Sequence, residues 1–144
     1  MKSSLTLIGL LGVIFTFCGC SSFIRDWKKA VAVPTGIEGR WEGTWLSSHN
    51  GHTGRLRCLL EKQADDRYLA RFDSTYKKIL HFKSTVVIEG AQSNGTFRFN
   101  GDAQLPWWAG GLYHYAGTIT PTNFFSTYEC KYDRGTFQMS RPGQ

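Results

Sequence analysis

The sequence after residue 36 is built of short segments in which apolar and polar residues alternate, and this pattern limits the fold most strongly. In one of them, Tyr68, Ala70 and Phe72 share one face while Arg71 points to the other. Successive side chains of a strand point to opposite sides, so this alternation is typical of half-buried strands. Eight such segments follow one another: residues 39–48, 53–62, 67–76, 79–89, 96–101, 112–120, 124–130 and 136–141.

The connections between these segments are short and rich in turn-forming residues, such as Asn50-Gly51 and Asn94-Gly95. Asn-Gly is typical of tight hairpins, which join antiparallel neighbours. An open meander of eight strands leaves two exposed sheet edges, and closing it into a barrel removes both. We therefore expect an all-β domain over residues 37–141, an eight-stranded antiparallel up-and-down meander that closes into a small barrel. A β-sandwich is the alternative topology.

The interior of such a barrel is decided by its aromatic residues. Seventeen of them lie between Trp41 and Phe137. An eight-stranded barrel is just wide enough to be filled by its own side chains or to hold one small ligand. The sequence leaves both arrangements open.

The first residues have the pattern of a secretory signal peptide. Lys2 gives a positive start, residues 5–17 are almost all apolar, and Cys18-Gly19-Cys20 follows. The apolar run is shorter than the roughly 20 residues of a permanent membrane-spanning helix. We therefore expect residues 1–19 to be a signal peptide.

Phe17-Cys18-Gly19-Cys20 resembles the lipobox of bacterial lipoproteins. The resemblance implies that Cys20 becomes the acylated N-terminal residue and anchors the chain in a lipid bilayer. Two or more acyl chains suffice for stable anchoring. Since Ser21, and not aspartate, follows the cysteine, the resemblance favours the bacterial cell envelope, at the outer membrane facing the periplasm.

Residues 20–36 are predicted to form a tether that contains a short amphipathic helix. Phe23, Ile24 and Trp27 recur at helical spacing, with charged residues between them. This helix has two interpretations, which the sequence does not separate. It lies in the lipid headgroup region with Trp27 at the interface, or it plugs one end of the domain.

The opening of the first predicted strand carries a second resemblance. Gly39-Arg40-Trp41 and Gly43-Thr44-Trp45 resemble the Gly-x-Trp motif of the calycin group, which includes the lipocalins. In lipocalins this tryptophan seals one barrel end, and an arginine late in the last strand stacks over it. The resemblance implies that role for Arg141 and supports the barrel fold.

Residues 105–111 form an unusually apolar connection that contains Trp107 and Trp108. Neighbouring residues of an extended segment point to opposite sides, so both indoles cannot point inward. We expect one of them to plug the barrel end or to form the lip of a ligand site, together with Tyr113 and Tyr115 of the next segment. In a meander this loop lies at the rim opposite the start of the first strand. The sequence therefore predicts a lid far from the anchoring membrane.

The reactive side chains do not form a recognisable catalytic or metal-binding motif. Cys58 and Cys130 either form a disulfide or remain free, and the sequence does not decide between these. His49 and His52 flank the first hairpin turn and are interpreted as polar turn residues. No nucleophile motif with a histidine and carboxylate is evident. We expect no enzymatic activity, no cofactor and no metal.

The charge of the chain is moderately basic. Its formal net charge is +6, and the part from Cys20 onward carries +5 because Lys2 is lost. Basic residues never occur in runs longer than two, and no nucleic-acid-binding motif is present, so we expect no nucleic-acid partner.

Two functions remain open. The first is an envelope lipoprotein whose barrel binds a small apolar or amphiphilic molecule through the aromatic residues named above. The second is a filled barrel without ligand that docks an envelope protein or peptidoglycan. Its outward-facing arginines would provide that surface: Arg55, Arg57, Arg67 and Arg71.

Overall fold

The computed structural model describes residues 19–30 and 35–143, with side chains from residue 22 onward. The predicted signal peptide lies outside these residues except for Gly19, and the Cys20 side chain is likewise outside them. The elements are α1 (Gly19–Lys29), β1 (Gly39–Ser47), β2 (Thr53–Ala64), β3 (Arg67–Tyr76), β4 (Leu80–Ser93), β5 (Thr96–Gln104), a 3-10 turn (Trp107–Ala109), β6 (Leu112–Ile119), β7 (Asn123–Glu129) and β8 (Arg134–Ser140). Within the described part of the chain, no helix has the length and apolar character needed to cross a membrane.

The eight strands form a closed barrel in sequence order, and every neighbouring pair is antiparallel. The last strand closes on the first, with Gly43 of β1 opposite Met139 of β8. The predicted all-β meander barrel is therefore confirmed, and the sandwich alternative is excluded. Closure gives both edge strands a partner, which is the physical reason for expecting it.

The two ends of the barrel differ, and we name them by their access. The closed end carries the start of β1. It is formed by residues 36–38, 65–66, 94–95, 120–122 and 141. The open end is formed by the connections at residues 48–52, 77–79, 105–111 and 130–133.

Side chains fill the half of the barrel next to the closed end. The ring of Phe124 packs edge-on against Trp41 at 5.7 Å and against Phe99 at 5.6 Å between centroids. Phe97 contacts the ring of Tyr68 at 5.1 Å. Such edge-to-face pairs contribute about 0.5–1.5 kcal/mol beyond their burial. This half is a packed core.

Three strands end later than their sequence patterns predict: β2 at Ala64, β4 at Ser93 and β5 at Gln104. β4 continues to Ser93, and only Asn94 and Gly95 form the turn, with φ of 50° and 76°. Gly90 allows this continuation, because a Cβ there would overlap the carbonyl oxygen of Arg98 on β5. At its other end, β4 pairs with β5 only from Val87 onward among the described residues. The first residues of β4, near the open end, therefore lie outside the ladder with β5.

The helix α1 packs on the outer wall of the barrel. Its Phe23 is only 3% exposed, and the ring of Trp27 lies within 6 Å of the guanidinium groups of Arg40 and Arg57. Arg71 donates two hydrogen bonds of 3.1 Å to Asp26 of the helix. The expectation that the helix plugs a barrel end was therefore wrong, and its placement in a lipid headgroup region stays a prediction. The apolar side of the helix faces the outer wall, where Leu59 of β2 points outward and is nevertheless buried.

The contact between Asp26 and Arg71 predicts an acid-sensitive helix. The Arg71 hydrogen bond holds the pKa of Asp26 below its usual value of 3.8. A carboxyl group whose pKa is lowered by folding stabilises the folded form above its unfolded pKa, and that contribution is lost as the pH falls through the folded pKa. We expect α1 to loosen below about pH 4. The emission of Trp27, taken as the difference between the spectra of the unmodified chain and its Trp27→Phe variant, would report this loosening as the pH is lowered.

Asp26→Asn provides the matched control for this acid response. The amide cannot titrate, so this variant should show a loosened helix at neutral pH and no further change on acidification. An acid profile identical to that of the unmodified chain would assign the transition to another group.

Candidate functional site

The open half of the barrel contains a cavity of about 240 Å³. At about 30 Å³ per molecule, this is room for about eight waters. Its lining is mainly aromatic and comes from every strand except β5, from the 105–111 loop and from the 130–133 turn: Trp45, Leu56, Phe72, Ser74, Tyr76, Phe82, Ser84, Ala109, Tyr113, Tyr115, Tyr128, Asp133 and Phe137. Among its lining residues, Phe82 is 38% exposed and lies on the part of β4 that precedes the pairing with β5.

A continuous aromatic wall encloses this cavity. Phe72 stacks on Tyr115 with 6.0 Å between ring centroids and contacts Phe137 at 5.3 Å. Tyr128 follows at 5.0 Å from Phe137, and Tyr113 lies 6.3 Å from Tyr128. Each ring is held by its neighbours, so the wall is formed before any ligand enters. Preformed, mostly apolar pockets of this kind are typical of small-molecule sites.

A few polar groups interrupt the apolar lining. Asp133 accepts a hydrogen bond of 2.6 Å from the Ser47 hydroxyl and one of 3.0 Å from the Tyr128 hydroxyl. On the opposite side, the Ser74 hydroxyl donates to the Phe82 carbonyl at 3.0 Å. These groups would orient the polar end of an amphiphilic molecule near the mouth.

The tyrosines of the wall stay neutral over the physiological range. Burial raises the pKa of Tyr115 to about 12, although a hydrogen bond with Ser84 acts in the opposite direction. Burial also raises the pKa values of Tyr113 and Tyr128, and their contacts with Cys130 and Asp133 add to this. Neutral phenols present apolar faces with one hydroxyl each, which suits an uncharged or amphiphilic ligand.

The calycin-like residues lie at the opposite, closed end. Trp41 is 0% exposed, and the guanidinium carbon of Arg141 lies 3.9 Å from its ring centroid. Arg141 is itself fixed by hydrogen bonds to the carbonyl groups of Gly36 at 2.7 Å and Glu38 at 2.6 Å. This pair forms the floor of the barrel and does not touch the cavity. Trp45, two residues after Gly43, lies at the cavity.

The tryptophans of the 105–111 loop project away from the barrel. Trp107 is 82% exposed and Trp108 is 69% exposed. The expectation that one indole plugs the end was therefore wrong. The two residues sit in a 3-10 turn that ends at Gly110 with φ of 108°, so they do not alternate as in an extended segment. Tyr113 and Tyr115 of the same prediction do line the cavity.

The two cysteines are free. Cys58 is buried between Trp41 and Phe72 in the sheet register, whereas Cys130 lies beyond the end of β7 at the open end. A disulfide would need Cα atoms within about 7 Å. Burial raises the pKa of the Cys58 thiol far above its usual value, so this thiol is unreactive.

The histidines of the first hairpin do not converge on a shared site. His52 contacts the Tyr76 ring at 5.1 Å between centroids, while His49 lies beside the 129–134 turn. Within residues 19–30 and 35–143, no group of three or more histidine, cysteine or acidic side chains is placed to hold a metal ion.

Several cavity residues were not singled out by sequence reasoning. Phe137 and Tyr128 follow the inward alternation of β8 and β7, so a full assignment of inner faces would have found them. Asp133 could not be found this way, because it lies in a turn whose composition predicts only a bend. Its role depends on Ser47, which is 86 residues away in sequence.

Comparison with known proteins adds no assignment. No model of a known protein family matches the chain, and no curated protein matches its sequence.

Proposed function

We propose that this chain is a lipid-anchored protein of the bacterial cell envelope whose barrel binds a small apolar or amphiphilic molecule and does not catalyse a reaction. The observation that carries the proposal is the aromatic cavity of about 240 Å³ at the open end. Cavities of this form are the usual sites of small ligands in eight-stranded barrels.

The dimensions of the cavity narrow the ligand class. Its volume lies slightly below the range of roughly 300–1,000 Å³ for drug-sized ligands. A complete phospholipid does not fit, but a short acyl segment or a single ring system does. The polar groups near the mouth, Asp133 and Ser74, would face the polar end of such a molecule. We therefore propose a medium-chain amphiphile or a small aromatic compound.

The envelope location rests on the sequence. The lipobox resemblance at Phe17-Cys18-Gly19-Cys20 and the preceding apolar run support export and acylation at Cys20. An outer-membrane location facing the periplasm follows from Ser21 in the same resemblance. Mass spectrometry of the mature N-terminus tests export and acylation. A diacylglyceryl-modified Cys20 is expected, and an unmodified N-terminus at another residue would refute the anchor.

The second candidate function, a filled interaction module, is less well supported by its own surface. Arg71 is bound to Asp26 and Glu61, and Arg67 forms a 2.6 Å ion pair with Glu89. Arg55 also contacts Glu42 at 3.4 Å, so three of the four arginines that would contact a partner form ion pairs within the chain. The packed half of the barrel remains the observation in favour of this function.

Ser84→Phe tests ligand binding. A phenyl ring at this position would occupy much of the cavity. We therefore expect the affinity for 1-anilinonaphthalene-8-sulfonate to fall at least about tenfold, and the affinity for medium-chain fatty acids, measured by displacement of this dye, to fall by a similar factor. Fluorescence titration measures both, and native mass spectrometry should show a one-to-one fatty acid complex for the unmodified chain.

Gln138→Phe is the matched control, because Gln138 is exposed and faces outward next to Phe137 of the cavity wall. It adds the same side chain outside the cavity and should leave the affinity unchanged. Equal binding by both variants, or no fatty acid complex with the unmodified chain, would reject the cavity as a ligand site and favour the filled module.

A further inference from the structure

Exposed apolar side chains are concentrated at the open end of the barrel. Two projections carry them. Ile79, which is 77% exposed, and Leu80 form the tip of the β3–β4 connection, and Trp107 and Trp108 form the tip of the β5–β6 connection. The first tip leads into the part of β4 that lies outside the ladder with β5, and the second tip follows the end of β5. Exposed patches of this kind mark contacts with proteins or membranes.

A basic groove adjoins the first tip on the outer wall. It has a volume of about 710 Å³ and is lined by five basic side chains: Arg55, Arg57, Lys77, Lys78 and His81. Of the nearby carboxylates, Glu42 already contacts Arg55 at 3.4 Å and Asp73 contacts His81 at 3.2 Å. These two contacts leave Arg57, Lys77 and Lys78 as the positive charges of the groove that attract anionic headgroups.

Two lysines occupy strained positions at this tip. Lys77 and Lys78 both have positive φ, at 52° and 66°, where residues with a Cβ are disfavoured. The ammonium group of Lys77 lies 5.3 Å from the centroid of the Tyr76 ring, so it has one contact within the turn. Both lysines line the basic groove and add to its positive charge.

The helix brings the N-terminal part of the chain to the same end. Lys29 and Ala30 at its C-terminal end lie beside Gly39, at the closed end of the barrel. Phe23 lies 5.9 Å from the ammonium group of Lys83, near the open end of β4. The helix begins four residues earlier, about 6 Å further along its axis at 1.5 Å per residue. The helix therefore runs along the barrel wall, with its C-terminal end at the closed end and its N-terminal end towards the open end. Cys20, the proposed anchor residue, belongs to the N-terminal turn of the helix.

We propose that the open end of the barrel docks on an anionic lipid bilayer, with the Ile79-Leu80 and Trp107-Trp108 tips inserted and the basic groove on the headgroups. Tryptophan favours the membrane interface, and basic residues beside it add electrostatic attraction. This reverses the expectation that the tryptophan loop lies far from the membrane, because the tether doubles back along the barrel wall.

Docking in this orientation turns the cavity mouth towards the lipid. Two of the cavity's lining residues, Phe82 and Ala109, follow closely on the two tips in the chain. An amphiphile could then pass between bilayer and cavity without crossing water. The docking relies on the proposed lipid anchor only for proximity, and it does not require an occupied cavity.

The test measures quenching of tryptophan emission in the full chain reconstituted in vesicles that contain brominated acyl chains. The vesicles are phosphatidylcholine alone or phosphatidylcholine with phosphatidylglycerol. We expect quenching that disappears in a Trp107→Phe/Trp108→Phe variant and persists in Trp27→Phe, the control on the helix. No quenching of the unmodified chain, or quenching lost in Trp27→Phe instead, would overturn the proposed orientation.

The lysines test the charge requirement. Lys77→Gln/Lys78→Gln keeps the length of the side chains at the turn but removes both charges. On phosphatidylglycerol-containing vesicles we expect the ratio of docked to undocked chain to fall about fivefold for each lysine, with little change on phosphatidylcholine. An unchanged ratio would overturn the anionic surface. Fatty acid binding should survive in these variants, so failure of docking and failure of the cavity site are distinguishable.

Discussion

Trp41→Ala is expected to lower the free energy of unfolding by about 3–5 kcal/mol, the usual cost of truncating a buried tryptophan. The indole is fully buried, its Nε1 donates to the Ile37 carbonyl at 2.9 Å, and it supports both Phe124 and Arg141. The truncation would leave a void at the floor of the barrel that neighbouring strands cannot close without changing the register. Urea unfolding followed by circular dichroism measures the loss.

Trp108→Ala is the control for this prediction. Its indole is exposed, so the free energy of unfolding should change by no more than about 0.5 kcal/mol.

A double-mutant cycle of Trp41→Ala and Arg141→Ala isolates the stacking of Arg141 on Trp41. We expect a coupling energy of about 0.5–2 kcal/mol for a cation over an indole in a partly desolvated site. Additive losses would show that Arg141 acts only through its carbonyl contacts.

Gly43→Ala is expected to destabilise the barrel at its closing seam by about 3 kcal/mol, the upper end of the usual cost of overpacking. A Cβ at this position would overlap the Gln138 carbonyl oxygen and lie 2.7 Å from the Cα of Met139. Both are backbone atoms of β8, so no rotation of a side chain relieves the contact. The pairing of β1 with β8 would have to separate locally, which thermal and urea unfolding would detect.

Thr44→Ala is the matched substitution on the same strand. Thr44 is exposed and faces outward, so Thr44→Ala should lower the free energy of unfolding by no more than about 0.5 kcal/mol. If Gly43→Ala unfolds at the same urea concentration as Thr44→Ala, the seam is more deformable than its close packing indicates.

The barrel could be predicted because its determinants are local. Alternation in segments such as residues 67–76 sets the inner face of each strand, and short turns set which strands are neighbours. The extension of β4 beyond its predicted end has a different origin. Gly90 and Ala91 have the composition of a turn, but pairing with β5 extends the strand through them. A tertiary partner outweighed the local preference.

The lining of the cavity could be predicted only in part from the sequence. Tyr113 and Tyr115 could be assigned to it because they belong to a strand with clear alternation. Trp107 and Trp108 could not, since their direction depends on a 3-10 turn and on Gly110. The cavity depends on which rings meet across the barrel, and Phe72 and Phe137 are 65 residues apart in sequence.

By itself, the sequence determined the number, order and inner faces of the strands and hence the closed barrel, because period and turn chemistry act over a few residues. The tertiary structure alone decided that one half of the barrel is packed and the other open, that the helix lies on the wall, and that the cysteines stay free. These features depend on distances between strands that are remote in sequence, which the stagger of the closed sheet sets and no local pattern encodes.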